Sequence, residues 1–104
     1  MGRVVLFFTE AGAVSTESRD KADFSRELGL TLQRLRLERG LSQERLAHIA
    51  GISTYTYQKF EKGESKPGTP MNPRLFTLLS LAEVLEVTLE DLVPKEWPDL
   101  TEGS

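Results

Sequence analysis

The chain contains no cysteine and a single histidine, His48. That excludes disulfides, zinc-thiolate sites and cysteine nucleophiles, and it leaves too few ligands for a histidine-rich metal site. Near the N-terminus the longest apolar run is Val4 to Phe8, too short for a secretory signal core. A membrane span would need about 20 apolar residues. No glycine-rich phosphate cradle is present, and His48 has no acid–nucleophile arrangement around it. Repeats and low-complexity tracts are missing too. These absences predict an untargeted, soluble, cytoplasmic protein that is not an enzyme and needs no cofactor or metal.

What is there fits one small domain with modest tails: 104 residues, 38% of them hydrophobic, with five Phe, two Tyr and one Trp. That size leaves no room for an attached ligand-binding domain, so control is expected from abundance, a partner or proteolysis. The net charge of −3 hides an uneven distribution. Residues 24–66 hold eight Lys/Arg against five Asp/Glu, whereas residues 67–104 hold two against seven. Positive charge is concentrated in the middle of the chain, where an anionic partner would be met.

That middle contains the most informative stretch, residues 41–63. Leu46, Ala47 and Ala50 fall at helical spacing, and Gly51 sits where a helix must stop and reverse. Ile52 follows as a plug, and Ser53 opens a second helix whose inward positions are Tyr57 and Phe60. Ala47 is small, as the closest approach of two steeply crossing helices requires. Two short helices joined this way make the pattern of a helix-turn-helix that docks on DNA.

Around it the chain reads as all-α. Residues 1–23 form an arm in which Val4–Phe8 suits a short strand. No second strand-like run is evident, so that strand would pair with a symmetry mate, pack on helices, or belong to a loose arm. Residues 24–94 form the domain. A first helix from Phe24 or Ser25 buries Leu28, Leu32 and Leu35; Gly29 weakens its first turn, and Gly40 closes it. Ser42 and Ser53 are N-caps for the second and third helices. Glu64 to Met71 is a Pro/Gly loop. Asn72-Pro73 then reads as cap and first residue of a fourth helix that buries Leu75, Leu78, Leu79, Ala82 and Leu85. A fifth, short helix follows Thr88 and stops at Pro94, and residues 95–104 are a tail holding Trp97.

Leu35-Arg36, Gly40-Leu41-Ser42-Gln43, Leu46-Ala47, Gly51-Ile52-Ser53, Phe60-Glu61-Lys62-Gly63 and Leu85 to Leu92 together resemble the Cro/XRE family of phage-repressor-like helix-turn-helix proteins. The resemblance covers residues 28–93 and implies a compact five-helix, lambda-repressor-like bundle. It implies that Gln43 grips a DNA phosphate and braces the recognition helix, with Ser42 adding a contact. It also implies that Arg36 and Glu61 form a partly buried structural ion pair. The third helix would enter the major groove, presenting Thr54, Tyr55, Gln58, Lys59 and Lys62. Gln58 suits adenine and Lys59 guanine, each worth about 1–3 kcal/mol of discrimination. Lys62 and Lys66 would meet phosphate. Two departures stand out. Tyr57 occupies a position the family fills with Ile or Val, and the loop after Lys66 is about six residues longer than usual.

The expected function is a sequence-specific transcriptional regulator, a repressor, that binds double-stranded DNA as a homodimer. A second reading keeps the fold but makes a protein partner primary, as in an antitoxin that also binds its own promoter.

Overall fold

The first helix begins a turn before its apolar period does. A computed structural model of the protein describes residues 5–8, 14–17 and 20–101, and α1 runs Lys21–Glu38. The apolar spacing points to Phe24 or Ser25, but the start is set by a cap that buries nothing. Asp20 accepts the Asp23 N–H at 2.7 Å, satisfying one of the free donors of the first turn.

Gly29 is buried and does more than weaken a turn. A Cβ there would lie 2.5 Å from the carbonyl oxygens of Phe60 and Glu61, so α1 approaches the following helices backbone to backbone.

The next two helices are α2, Gln43–Ala50, and α3, Thr54–Lys62. Ser42 Oγ accepts from the Arg45 N–H at 2.9 Å and Ser53 Oγ from the Thr56 N–H at 3.0 Å. Gly51 adopts φ +81, in the left-handed region where a side chain would be strained. The reversal lets the Ile52 N–H reach the Ala47 carbonyl at 3.0 Å. Ala47 is fully buried and Ile52 packs against the core, as the pattern requires.

Beyond α3, helix α4 covers Leu75–Leu85 and helix α5 covers Leu89–Leu92. The α4 cap is Arg74, not Asn72, and it makes no side-chain hydrogen bond to the helix. Arg74 is itself extended, and residues 71–74 form no turn, so the helix begins only at Leu75. The buried face also differs from the expected one. Leu81, Ala82 and Leu85 are buried, whereas Leu75 and Leu79 are exposed. With leucine or valine on most sides of α4, spacing alone cannot choose its inner face. At α5, Thr88 and Asp91 cap each other's backbone reciprocally, which holds the Asp91 carboxyl below its ordinary range.

One core joins these helices: Leu28 and Leu32 from α1, Leu46 and Ala47 from α2, Tyr57 and Phe60 from α3, then Leu81, Ala82, Leu85 and Leu92. The five-helix bundle is as expected, with two small antiparallel hairpins added. Strand β1 (Val5–Phe8) has a partner within the chain, β2 (Val14–Glu17), in the register Val5↔Glu17 to Phe8↔Val14. Ser15 and Thr16 make β2 polar, and an apolar alternation does not reveal such a strand. Residues 1–4, 9–13, 18 and 19 of the arm, and 102–104 of the tail, lie outside the described residues. The second hairpin replaces the expected loop after α3. Strands β3 (Glu64–Lys66) and β4 (Thr69–Pro70) pair around Pro67-Gly68. The Met71 N–H closes its base on the Gly63 carbonyl at 2.8 Å, and Ser25 Oγ donates to the Met71 carbonyl at 2.7 Å.

Candidate nucleic-acid interface

The inner face of α3 is organised around one carboxylate. Arg36 Nε donates to Glu61 Oε2 at 2.6 Å and its Nη2 to Oε1 at 3.2 Å, a fork matching the two oxygens. The third arm of the guanidinium reaches the Leu41 carbonyl at 2.8 Å. Both side chains are withdrawn from water, at 9% and 5% exposure. The Tyr57 hydroxyl also donates to Glu61 Oε2, and Gln43 Nε2 donates to Oε1 at 2.8 Å.

The charge balance follows from these contacts. Burial on its own would push the Glu61 carboxyl up, but the bonds from Arg36, Tyr57 and Gln43 outweigh it and hold the group below its ordinary range. The bond to Glu61 raises Arg36 against the opposing effect of burial. Tyr57 is pushed far up, by burial first and by the carboxylate second, so it stays a hydrogen donor. The tyrosine that departs from the family pattern is therefore accommodated. Its ring lies fully in the core, edge-on to Phe60, and its hydroxyl completes the carboxylate's partners.

Gln43 carries this order to the surface, since its Oε1 accepts from Gln58 Nε2 at 3.2 Å. Outward from there, Tyr55 is 69% exposed, and Lys59 Nζ rests 4.3 Å from the centre of its ring, a cation–π contact one helical turn apart. Gln43, Tyr55, Gln58, Lys59, Lys62 and Lys66 all border one shallow groove between α2, α3 and the β3–β4 hairpin. Of the other expected contact residues, Ser42 is exposed and spends its hydroxyl on the α2 cap, and Thr54 is half-buried in the first turn of α3.

The groove also includes Gln33 of α1 and Ser65 of β3, which the sequence did not single out. Gln33 is one of several polar residues on the outer side of α1, and only the placement of α1 against α3 distinguishes it. Two acids, Glu61 and Glu64, lie on the groove wall. Glu61 is neutralised by Arg36, and Glu64 accepts from the Gly68 N–H at 3.3 Å within its own hairpin. Among the described residues no cluster of His, Asp or Glu could hold a metal ion, and no helix is long and apolar enough to cross a membrane.

A capped helix, a glycine reversal and a second helix with a polar outer face make a DNA-binding helix-turn-helix. Residues 27–94 match the family described as helix-turn-helix domain, about two thirds of the chain, and the protein belongs to that family. Solved structures agree. The restriction-modification controller protein C.AhdI from Aeromonas hydrophila is 32% identical over 68% of this chain and 97% of its own, with a TM-score of 0.58. SinR, the Bacillus subtilis regulator of biofilm formation, was solved in complex with DNA and is 26% identical over 62% and 95% (TM-score 0.54). The SinR/SinI complex matches at 25% over 65% and 61% (TM-score 0.57). Among curated proteins none matches significantly.

Proposed function

We propose that this protein is a sequence-specific transcriptional repressor, acting in the cytoplasm, that binds operator DNA as a homodimer with α3 of each copy in the major groove. It works by binding, without a catalytic step or a cofactor. The observation that carries this is the outer face of α3. Tyr55, Gln58, Lys59 and Lys62 take no part in the core, yet Gln58 is held through Gln43 by a buried carboxylate. A side chain with no packing role but a fixed orientation is suited to reading base edges. Gln43 and Ser42 at the N-terminus of α2, Lys62 at the end of α3 and Lys66 in the hairpin flank it as phosphate contacts. Repression needs nothing more, because a domain held on a promoter blocks polymerase by occupancy. That SinR is known in complex with DNA supports the reading.

The test is selection from a random duplex pool at stated salt. The expected product is a palindromic motif whose half-sites lie about one helical turn, roughly 34–36 Å, apart. A pool that shows no enrichment after repeated rounds would refute the proposal. A second reading makes a protein partner primary, and that SinR was solved in complex with the protein SinI supports a protein-binding role of this kind. A stoichiometric partner that co-purifies and displaces DNA would support it.

A further inference from the structure

One side of α4 carries large apolar side chains that no described residue covers. Leu75, Phe76 and Leu79 are 57, 81 and 41% exposed, while Leu81, Ala82 and Leu85 on the other side are buried. Close by, the Ser80 hydroxyl donates to the Ala50 carbonyl at 2.9 Å, and the neighbouring residue Ile49 is 46% exposed. Together these side chains offer on the order of 400 Å² of surface. That exceeds scattered apolar exposure and approaches half of one partner's share in a standard interface.

We infer that this face is where two copies of the chain meet, their α4 helices antiparallel across a two-fold axis at Leu79. The inference rests on the dimer reading above, which calls for two copies without saying which surface joins them.

Self-complementarity selects a second copy as the occupant. Leu75, Leu79 and Glu83 recur every four residues and so form one stripe along α4. The stripe is symmetric about Leu79, so in an antiparallel pair Glu83 of one copy lies over Leu75 and the first turn of the other. The first turn of α4 has its N–H groups uncapped by any side chain, since Arg74 makes no such bond. Glu83 is exposed and without an ion pair among the described residues. A carboxylate and the positive end of a helix complement each other, and here they do so twice. Phe76, at the edge of the stripe, fills the space beside the axis.

Sedimentation equilibrium on the full chain tests this. The wild type is expected to be a dimer in the micromolar range. Phe76→Glu should weaken dimerisation about 100-fold or more, because each interface holds that residue twice. Its thermal melt should match that of the wild type at a dilution where the wild type is itself monomeric, since the side chain lies outside the core. Trp97→Glu, at an exposed apolar residue elsewhere, should stay dimeric. Lys59→Ala should also stay dimeric while losing DNA affinity, so failure of the DNA reading would show separately from failure of this one.

Geometry is tested by Leu79→Cys. In a chain without cysteine, mild oxidation should join two copies through residue 79, and Leu100→Cys should not behave this way. A Phe76→Glu protein that remains dimeric would overturn the inference. So would a wild type that is monomeric both free and on its selected duplex, or a Leu79→Cys protein that does not cross-link.

Discussion

The two faces of α3 follow opposite rules. Inward, Tyr57, Phe60 and Glu61 have every polar atom engaged and almost no exposure. Outward, Tyr55, Gln58, Lys59 and Lys62 contribute little to the core and line an open groove. Nine residues thus carry a structural code on one side and a recognition code on the other. A substitution on the outer side should disturb recognition and spare stability, whereas one at Glu61 should disturb both, because the carboxylate also holds Gln43 and through it Gln58.

The largest effect is expected from Glu61→Ala. It strands the Arg36 guanidinium, the Tyr57 hydroxyl and the Gln43 amide together, so about 3–5 kcal/mol of stability should be lost in urea denaturation. Gly29→Ala comes next, at about 3 kcal/mol, because the added methyl meets backbone carbonyls that cannot swing aside. Lys59→Ala should leave that urea midpoint unchanged yet weaken binding to the selected duplex about 10-fold in a gel-shift titration. A changed midpoint there would blur the division between the faces.

The acid limb of stability sharpens it. The Glu61 carboxyl is held below its ordinary value of 4.5, so its contribution is complete above that pH and is lost as pH falls through the lower, folded-state value. Glu61→Gln should therefore flatten the stability curve in that window, whereas Lys59→Ala should leave it steep. Smallest of all, Lys66→Ala should reduce the slope of log affinity against log salt by about 1, with little change in sequence preference.

How much of this was legible in the sequence depended on whether a residue's role is local. Ser42, Gly51 and Ser53 act through hydrogen bonds and φ values within a few residues, so their types and spacing were enough. Tyr57 and Phe60 read as inward because α3 is amphipathic, whereas the inward place of Glu61, a charged residue, follows only from the resemblance. Helix α4 is apolar nearly all round, so its spacing does not show that Leu81 lies inside and Leu75 and Leu79 outside. The start of α1 is not visible in the apolar spacing because Asp20 caps without burying anything. Neither hairpin was expected: β2 is polar, and β3–β4 contains the Pro and Gly that mark a loop. In the interface, the Arg36–Glu61 pair came through resemblance. The relay from Glu61 through Gln43 to Gln58, and the place of Gln33 beside it, depend on how helices distant in sequence are set side by side.

That relay has a direction. An ionised carboxylate can only accept, so Gln43 must turn its amide nitrogen toward Glu61 and its oxygen toward Gln58. Gln58 in turn commits one hydrogen to Gln43, leaving an oxygen and a second hydrogen pointing away. A negative charge sealed inside the bundle thereby dictates the polarity of an amide at the rim, and a neutral group in its place would let both glutamines flip end for end.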